Sequence, residues 1–105
     1  MPAFVIYPNG RRRNVVNLGW LRRHAHEVER ITLYPVERAG AYSHYDLLVI
    51  AVTENGTEYH TLFADKTIAR QWFKRPSLQH VEQVWSEEAI KIDPGAFDAP
   101  EEARI

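Results

Sequence analysis

The chain has 105 residues, 45 % of them hydrophobic, no cysteine and a formal net charge of −1. This length holds one domain with a single modest core and excludes a second, while the lack of cysteine excludes disulfides, thiolate metal sites and thiol catalysis and suits a reducing cytosol. The longest apolar run, Leu47–Val52, has six residues against the roughly 20 that cross a bilayer. Met1-Pro2-Ala3-Phe4 lacks the basic and apolar regions of a secretory signal, so the chain is read as cytoplasmic, intact and without membrane contact.

Phe4-Val5-Ile6-Tyr7 is β-branched and aromatic, and Pro8-Asn9-Gly10 follows it with residues that tolerate the positive φ of a tight turn. Arg11–Val16 then returns as a second strand, with Arg11, Arg13 and Val15 on one face and Arg12, Asn14 and Val16 on the other. From Asn17 the period lengthens. Leu18, Leu21, Ala25 and Val28 form one narrow apolar stripe at helical spacing, with Asn14 or Asn17 available as the N-cap. Ile31 and Leu33 alternate with Arg30, Thr32 and Tyr34, so a strand follows at once and Pro35 limits it to an edge or an end.

Ala39–Tyr45 reads as a loop of small residues, and Asp46–Thr53 as a strand apolar on both faces. Asn55-Gly56 is the strongest local signal. As a two-residue type I′ turn it sets Glu54 opposite Thr57, Val52 opposite Tyr59, Ile50 opposite Thr61 and Leu48 opposite Phe63. The other side of that hairpin would pair Ala51 with His60 and Val49 with Leu62. Asp65 is a good N-cap for a second helix whose Ile68, Ala69 and Trp72 share a face, and Pro76 stops it. Residues 78–85 fit a helix and a strand equally, and from Asp93 the sequence reads as a flexible acidic tail, residues 93–105.

The expected fold is therefore α+β: a small antiparallel or mixed sheet of four to five strands with two helices on one face, order β(β)-α-β-β-β-α, over residues 1–92. The α-β-β-β-α order of Leu18–Arg75 resembles that of a double-stranded-RNA-binding domain in topology alone. Its second helix opens Asp65-Lys66-Thr67-Ile68 and its hairpin loop is Glu54-Asn55-Gly56-Thr57, in place of that family's Lys-rich cluster and Gly-Pro/His loop.

Little in the chain has the pattern of catalysis or metal binding. His24 and His26 are two apart, which on a helix turns them about 200° from one another, so no metal site is expected. Ser43-His44-Tyr45-Asp46 holds the residue types of a hydrolase triad, but contiguous residues rarely reach its geometry. No phosphate-cradling, zincin or nucleophile-elbow pattern is present, and Glu87-Glu88 and Glu101-Glu102 lie where nothing desolvates them. No enzyme activity and no cofactor are expected.

Two functions remain. The first is a small accessory or regulatory protein that associates with a protein partner, a second copy of itself foremost, through Tyr42, Tyr45, His60 and Leu62, since aromatic residues and arginine are enriched at interface centres. Its brevity and lack of a catalytic motif resemble those of small phage and mobile-element proteins. The second is DNA or RNA binding. Residues 1–81 carry eleven Lys/Arg against seven Asp/Glu, and residues 82–105 two against seven. Arg11, Arg12, Arg13, Arg22, Arg23, Arg70, Lys74 and Arg75 could grip phosphates if folding brings them to one surface, with the acidic end as a mask.

Overall fold

The computed structural model describes residues 2–37, 40 and 42–97. Its elements run β1 (Ala3–Ile6), β2 (Arg12–Asn14), α1 (Asn17–His24), β3 (Val28–Pro35), β4 (Leu47–Thr53), β5 (Glu58–Phe63), α2 (Lys66–Phe73) and β6 (Glu82–Trp85). They build one six-stranded sheet in the order β2-β1-β5-β4-β3-β6. The α+β class matches the expectation, but there are six strands and the sheet is mixed. Residues 78–85, which fitted helix and strand alike, divide: a 3-10 turn covers Pro76–Leu78, and β6 lies parallel to β3. A strand so short, with Glu82 and Gln83 beside Val84 and Trp85, has no periodicity long enough to declare itself.

The two faces follow from the registers. One row across the sheet is Arg13, Val5, Tyr59, Ala51, Ile31 and Gln83. This face carries the helices, and its core joins Val5, Ile31, Leu33, Val49 and Tyr59 to Trp20, Leu21, Trp72 and Phe73. The adjacent row, Asn14, Phe4, His60, Ile50, Thr32 and Val84, faces the other way.

That second face is covered in part by the chain's own end. Ile90, Ile92, Ala96 and Phe97 pack with Phe4, Leu48 and Leu62, and Ile90 is held to Pro35 and Glu37 by backbone hydrogen bonds of 2.8 and 2.9 Å. Residues 93–97, expected as the start of a flexible tail, are thus placed on the sheet. Phe97 is 8 % exposed, its N–H donates to the Tyr42 hydroxyl at 3.2 Å, and the Arg12 guanidinium donates to the Ala96 carbonyl at 2.5 Å. The acidic composition of this stretch hid one aromatic anchor. Residues 98–105 lie outside the described residues.

The β4–β5 hairpin departs from the expected register by one residue. Observed partners are Ala51 with Tyr59, Ile50 with His60, Val49 with Thr61 and Leu48 with Leu62. A type I′ turn needs positive φ at both central residues, yet only Gly56 has it (φ 92°) and Asn55 does not. The loop is instead three residues, Glu54-Asn55-Gly56, closed by Thr53 N–H to the Thr57 carbonyl (2.9 Å) and Gly56 N–H to the Thr53 carbonyl (3.0 Å). Asn55 spends its side chain inside the turn, where Oδ1 accepts from Thr53 Oγ1, Thr57 N–H and Thr57 Oγ1. One residue of slip exchanges the faces of β5 relative to β4.

Two helix details also differ. α1 starts after Val16, which makes no side-chain cap, in place of Asn14 or Asn17. Ala69, Trp72 and Phe73 form the buried face of α2 while Ile68 is half exposed. Asp65 does cap α2, accepting from Thr67 N–H at 2.5 Å, and Pro76 follows its end. Among the described residues no helix is long and apolar enough to cross a membrane.

Two stability changes are expected in urea unfolding. Phe97→Ala should destabilise by about 3 kcal/mol, the scale of an aromatic truncated in a packed site; an unchanged midpoint would show that the segment does not hold the sheet. Gly19→Ala should stabilise by ~0.5–1 kcal/mol, because a Cβ there meets only ordinary contacts, Val16 at 3.5 Å and Arg23 at 3.7 Å.

Candidate functional site

Two surface features stand out from this frame, a polar cleft near β2 and the free side of β6. The cleft follows from the alternation of β2. Arg12 turns to the sheet face that the C-terminal segment covers, its guanidinium 3.6 Å over the Phe4 ring. Arg13 turns to the helix side. There it meets α1 and the β4–β5 turn around a cavity of about 500 Å³, whose polar lining includes Arg13, Arg23, His24, Glu27 and Asn55. The volume is in the range of small-molecule sites.

The wall is a stack of rings. Tyr59, fully buried, lies 5.1 Å beneath Trp20, and Trp20 lies 4.4 Å from His24. Burial pushes the Tyr59 phenol far above its ordinary range, so it stays neutral. α1 passes into a 3-10 turn at Ala25–Glu27, which brings Glu27 back toward the helix, and its carboxylate accepts from His24 Nδ1 at 2.6 Å. A carboxylate that accepts from Nδ1 fixes the ring and leaves Nε2 as its remaining polar atom. Neither Arg13 nor Arg23 forms an ion pair with a described residue. Among the described residues no group of three or more His, Asp or Glu side chains is placed to hold a metal.

The free side of β6 lies at the opposite edge of the sheet. Ser86 N–H donates to the Leu33 carbonyl at 2.9 Å, so by strand alternation Gln83 and Trp85 turn their backbone groups outward. Val84 and Trp85 are 39 % and 38 % exposed. Arg70 sits 5.1 Å over the Trp85 ring, and Gln83 Nε2 donates to the Phe73 carbonyl at 2.8 Å, which ties α2 to this edge.

The eight basic residues considered for phosphate contact are therefore separated. Arg13 and Arg23 share the cleft, Arg12 is on the opposite face, and Arg70 and Lys74 stand by Trp85 at the far edge. Five interstrand spacings, ~24 Å, separate β2 from β6. Arg11 and Arg22 are exposed, and Arg75 lies over Trp72 at 4.3 Å. No single surface collects them.

The residues considered for a protein interface lie on the sheet face away from the helices. Leu62 is fully buried, while Tyr42 and Tyr45 pack in the cluster closed by Phe97. His60 stacks on Phe4 at 4.8 Å and bonds Glu58 at 3.0 Å. Phe97 packs against both Phe4 and Tyr42, with ring centroids 5.0 and 5.7 Å away. His44 lies against Tyr45 at 4.2 Å, in a turn that leads into β4. Not read from the sequence as site residues were the cleft members Tyr7, Glu27 and Asn55 and the edge residues Val84 and Trp85. The i, i+3 spacing of His24 and Glu27 was the one available local signal.

No protein-family model, curated protein or solved structure matches this chain.

Burial lowers the His60 pKa, an effect opposed by Glu58 and aided by the nearby Arg12 charge. A histidine lowered by folding binds its proton more readily in the unfolded chain, so it stabilises the fold above the unfolded value near 6.5 and loses that contribution as pH falls below it. The urea midpoint should drop from pH 7.5 to pH 5, and His60→Gln should flatten this dependence. An equally steep dependence in the variant would assign it to other groups.

Proposed function

We propose that the protein is a small non-catalytic association module that pairs with a second copy of itself through the β6 edge. The observation that carries this reading is the contrast between the two sheet edges. β2 is guarded by Arg12 and Arg13, and charge at an edge discourages strand addition. β6 has no lysine, proline or bulge, presents two outward backbone residues and exposes Val84 and Trp85 beside them.

A two-fold axis through Val84 satisfies that edge. Antiparallel pairing about it sets Gln83 of one copy opposite Trp85 of the other, and each such pair exchanges two backbone hydrogen bonds. Val84 then meets Val84 as a non-hydrogen-bonded pair with Cα atoms ~4.5 Å apart. Glu82 falls opposite Ser86, so no acidic residue of β6 opposes another. Arg70 and Lys74 of both copies converge on the helix side, so added salt strengthens the contact by screening them. That is the reverse of a phosphate-binding surface, which salt weakens.

Sedimentation over a concentration series should show a monomer–dimer equilibrium, and Val84→Lys should weaken it at least tenfold (~1.4 kcal/mol) by setting two charges at the axis. Since the chain has no cysteine, Val84→Cys should oxidise to a covalent dimer much faster than Val16→Cys on the other side of the molecule. A strictly monomeric chain at the highest concentration, or equal crosslinking of the two variants, would overturn the reading.

A further inference from the structure

We propose that the cleft between β2, α1 and the β4–β5 turn binds a small organic phosphate monoester. The site is independent of the β6 edge and of any self-association. Its chemistry is set by an excess of donors over acceptors. The Arg13 and Arg23 guanidinium groups line the cavity and have no acidic partner among the described residues. The single lining carboxylate, Glu27, is held by His24 Nδ1 at 2.6 Å.

Asn55 adds a third donor. The Thr57 backbone N–H can only donate, so the amide atom it meets at 3.1 Å must be the oxygen, and the two threonine hydroxyls complete that oxygen's shell. The Asn55 amide is thereby oriented with Nδ2 unspent within the described residues. The result is a cavity lined by two forked cations and an oriented neutral amide.

Guanidinium forks match the oxygens of a phosphate bidentately, and a monoester carries close to two negative charges at neutral pH, one for each arginine. The rest of the lining fits the organic part. Val15, Val16 and Tyr7 offer apolar contact, and Asn14 offers a polar one. Trp20 is buried, with Tyr59 and His24 both stacked on it, so it serves as wall and not as a platform for a stacked base. A cavity of about 500 Å³ takes a molecule of sugar-phosphate size with room to spare.

The test is an amide and side-chain NMR titration of the full chain with ribose 5-phosphate, ribose, inorganic phosphate and a short DNA duplex. Ribose 5-phosphate should give saturable shifts at Asn55, Thr57 and Arg13, and ribose none. Arg13→Gln and Arg23→Gln, both at exposed positions, should each weaken binding at least about tenfold without moving the urea midpoint, and Lys74→Gln at the far edge should leave it unchanged. Absence of saturable shifts with ribose 5-phosphate, or full affinity in both arginine variants, overturns the proposal. So does inorganic phosphate binding as tightly as the ester, since the organic part then contributes nothing. A duplex that outcompetes ribose 5-phosphate and is weakened by Lys74→Gln also overturns it, assigning the arginines to a nucleic-acid backbone.

Discussion

The arrangement of this molecule depends on the turn between β4 and β5. Because Gly56 alone takes positive φ, and Asn55 turns its amide inward to Thr53 and Thr57, the loop has three residues and not two. That choice decides which side of β5 faces the helices. Tyr59, Thr61 and Phe63 go to the helix side, opposite Ala51, Val49 and Leu47. Ala51 is the smallest residue of β4, and the space it leaves beside Tyr59 lets the phenol ring be buried under Trp20. A two-residue turn would instead have turned His60 toward the helices and put Tyr59 on the face where Phe4 and Phe97 lie.

From this register both surface features follow. The ring stack Tyr59, Trp20 and His24 seats α1 against β1 and β5, and the distance between α1 and the turn becomes the width of the cleft. The same turn supplies Asn55 to its floor, so one piece of local chemistry closes the hairpin and orients a donor. On the other face, His60 and Leu62 become the base on which Phe97 and its neighbours settle. Ile90, Ile92, Ala96 and Phe97 then cover apolar surface on that face, while Val84 and Trp85 stay exposed at the β6 edge.

The arginines show how far charge counting goes. Eight basic residues look like a motif when read along the chain, but strand alternation turns Arg12 and Arg13 to opposite faces, and the sheet order sends β2 and α2's Arg70 toward opposite edges. What is left is smaller: two guanidinium groups at one cleft, neither ion-paired with a described residue. The acid of that cleft, Glu27, was legible from its spacing to His24, but its role as the histidine's partner needed the 3-10 turn that follows α1.

Sequence alone determined the α+β class, five of the strands, both helices, the Asp65 cap and the stop before Pro76, because each rests on short-range steric and hydrogen-bonding preferences that act within a few residues. It also placed Arg12 and Arg13 on opposite faces, since strand alternation needs no partner to be defined. Tertiary structure alone decided the hairpin register, the sixth strand, the seat of Phe97 and the meeting of Arg13, Arg23 and Asn55 around one cavity. Each of these depends on which distant surface a residue meets: β6 pairs with β3 some fifty positions away, and Phe97 reaches Phe4 across nearly the whole chain. Apolar burial is non-directional and proportional to area, so local pattern can say that Phe97 or Val84 should be covered but not by what.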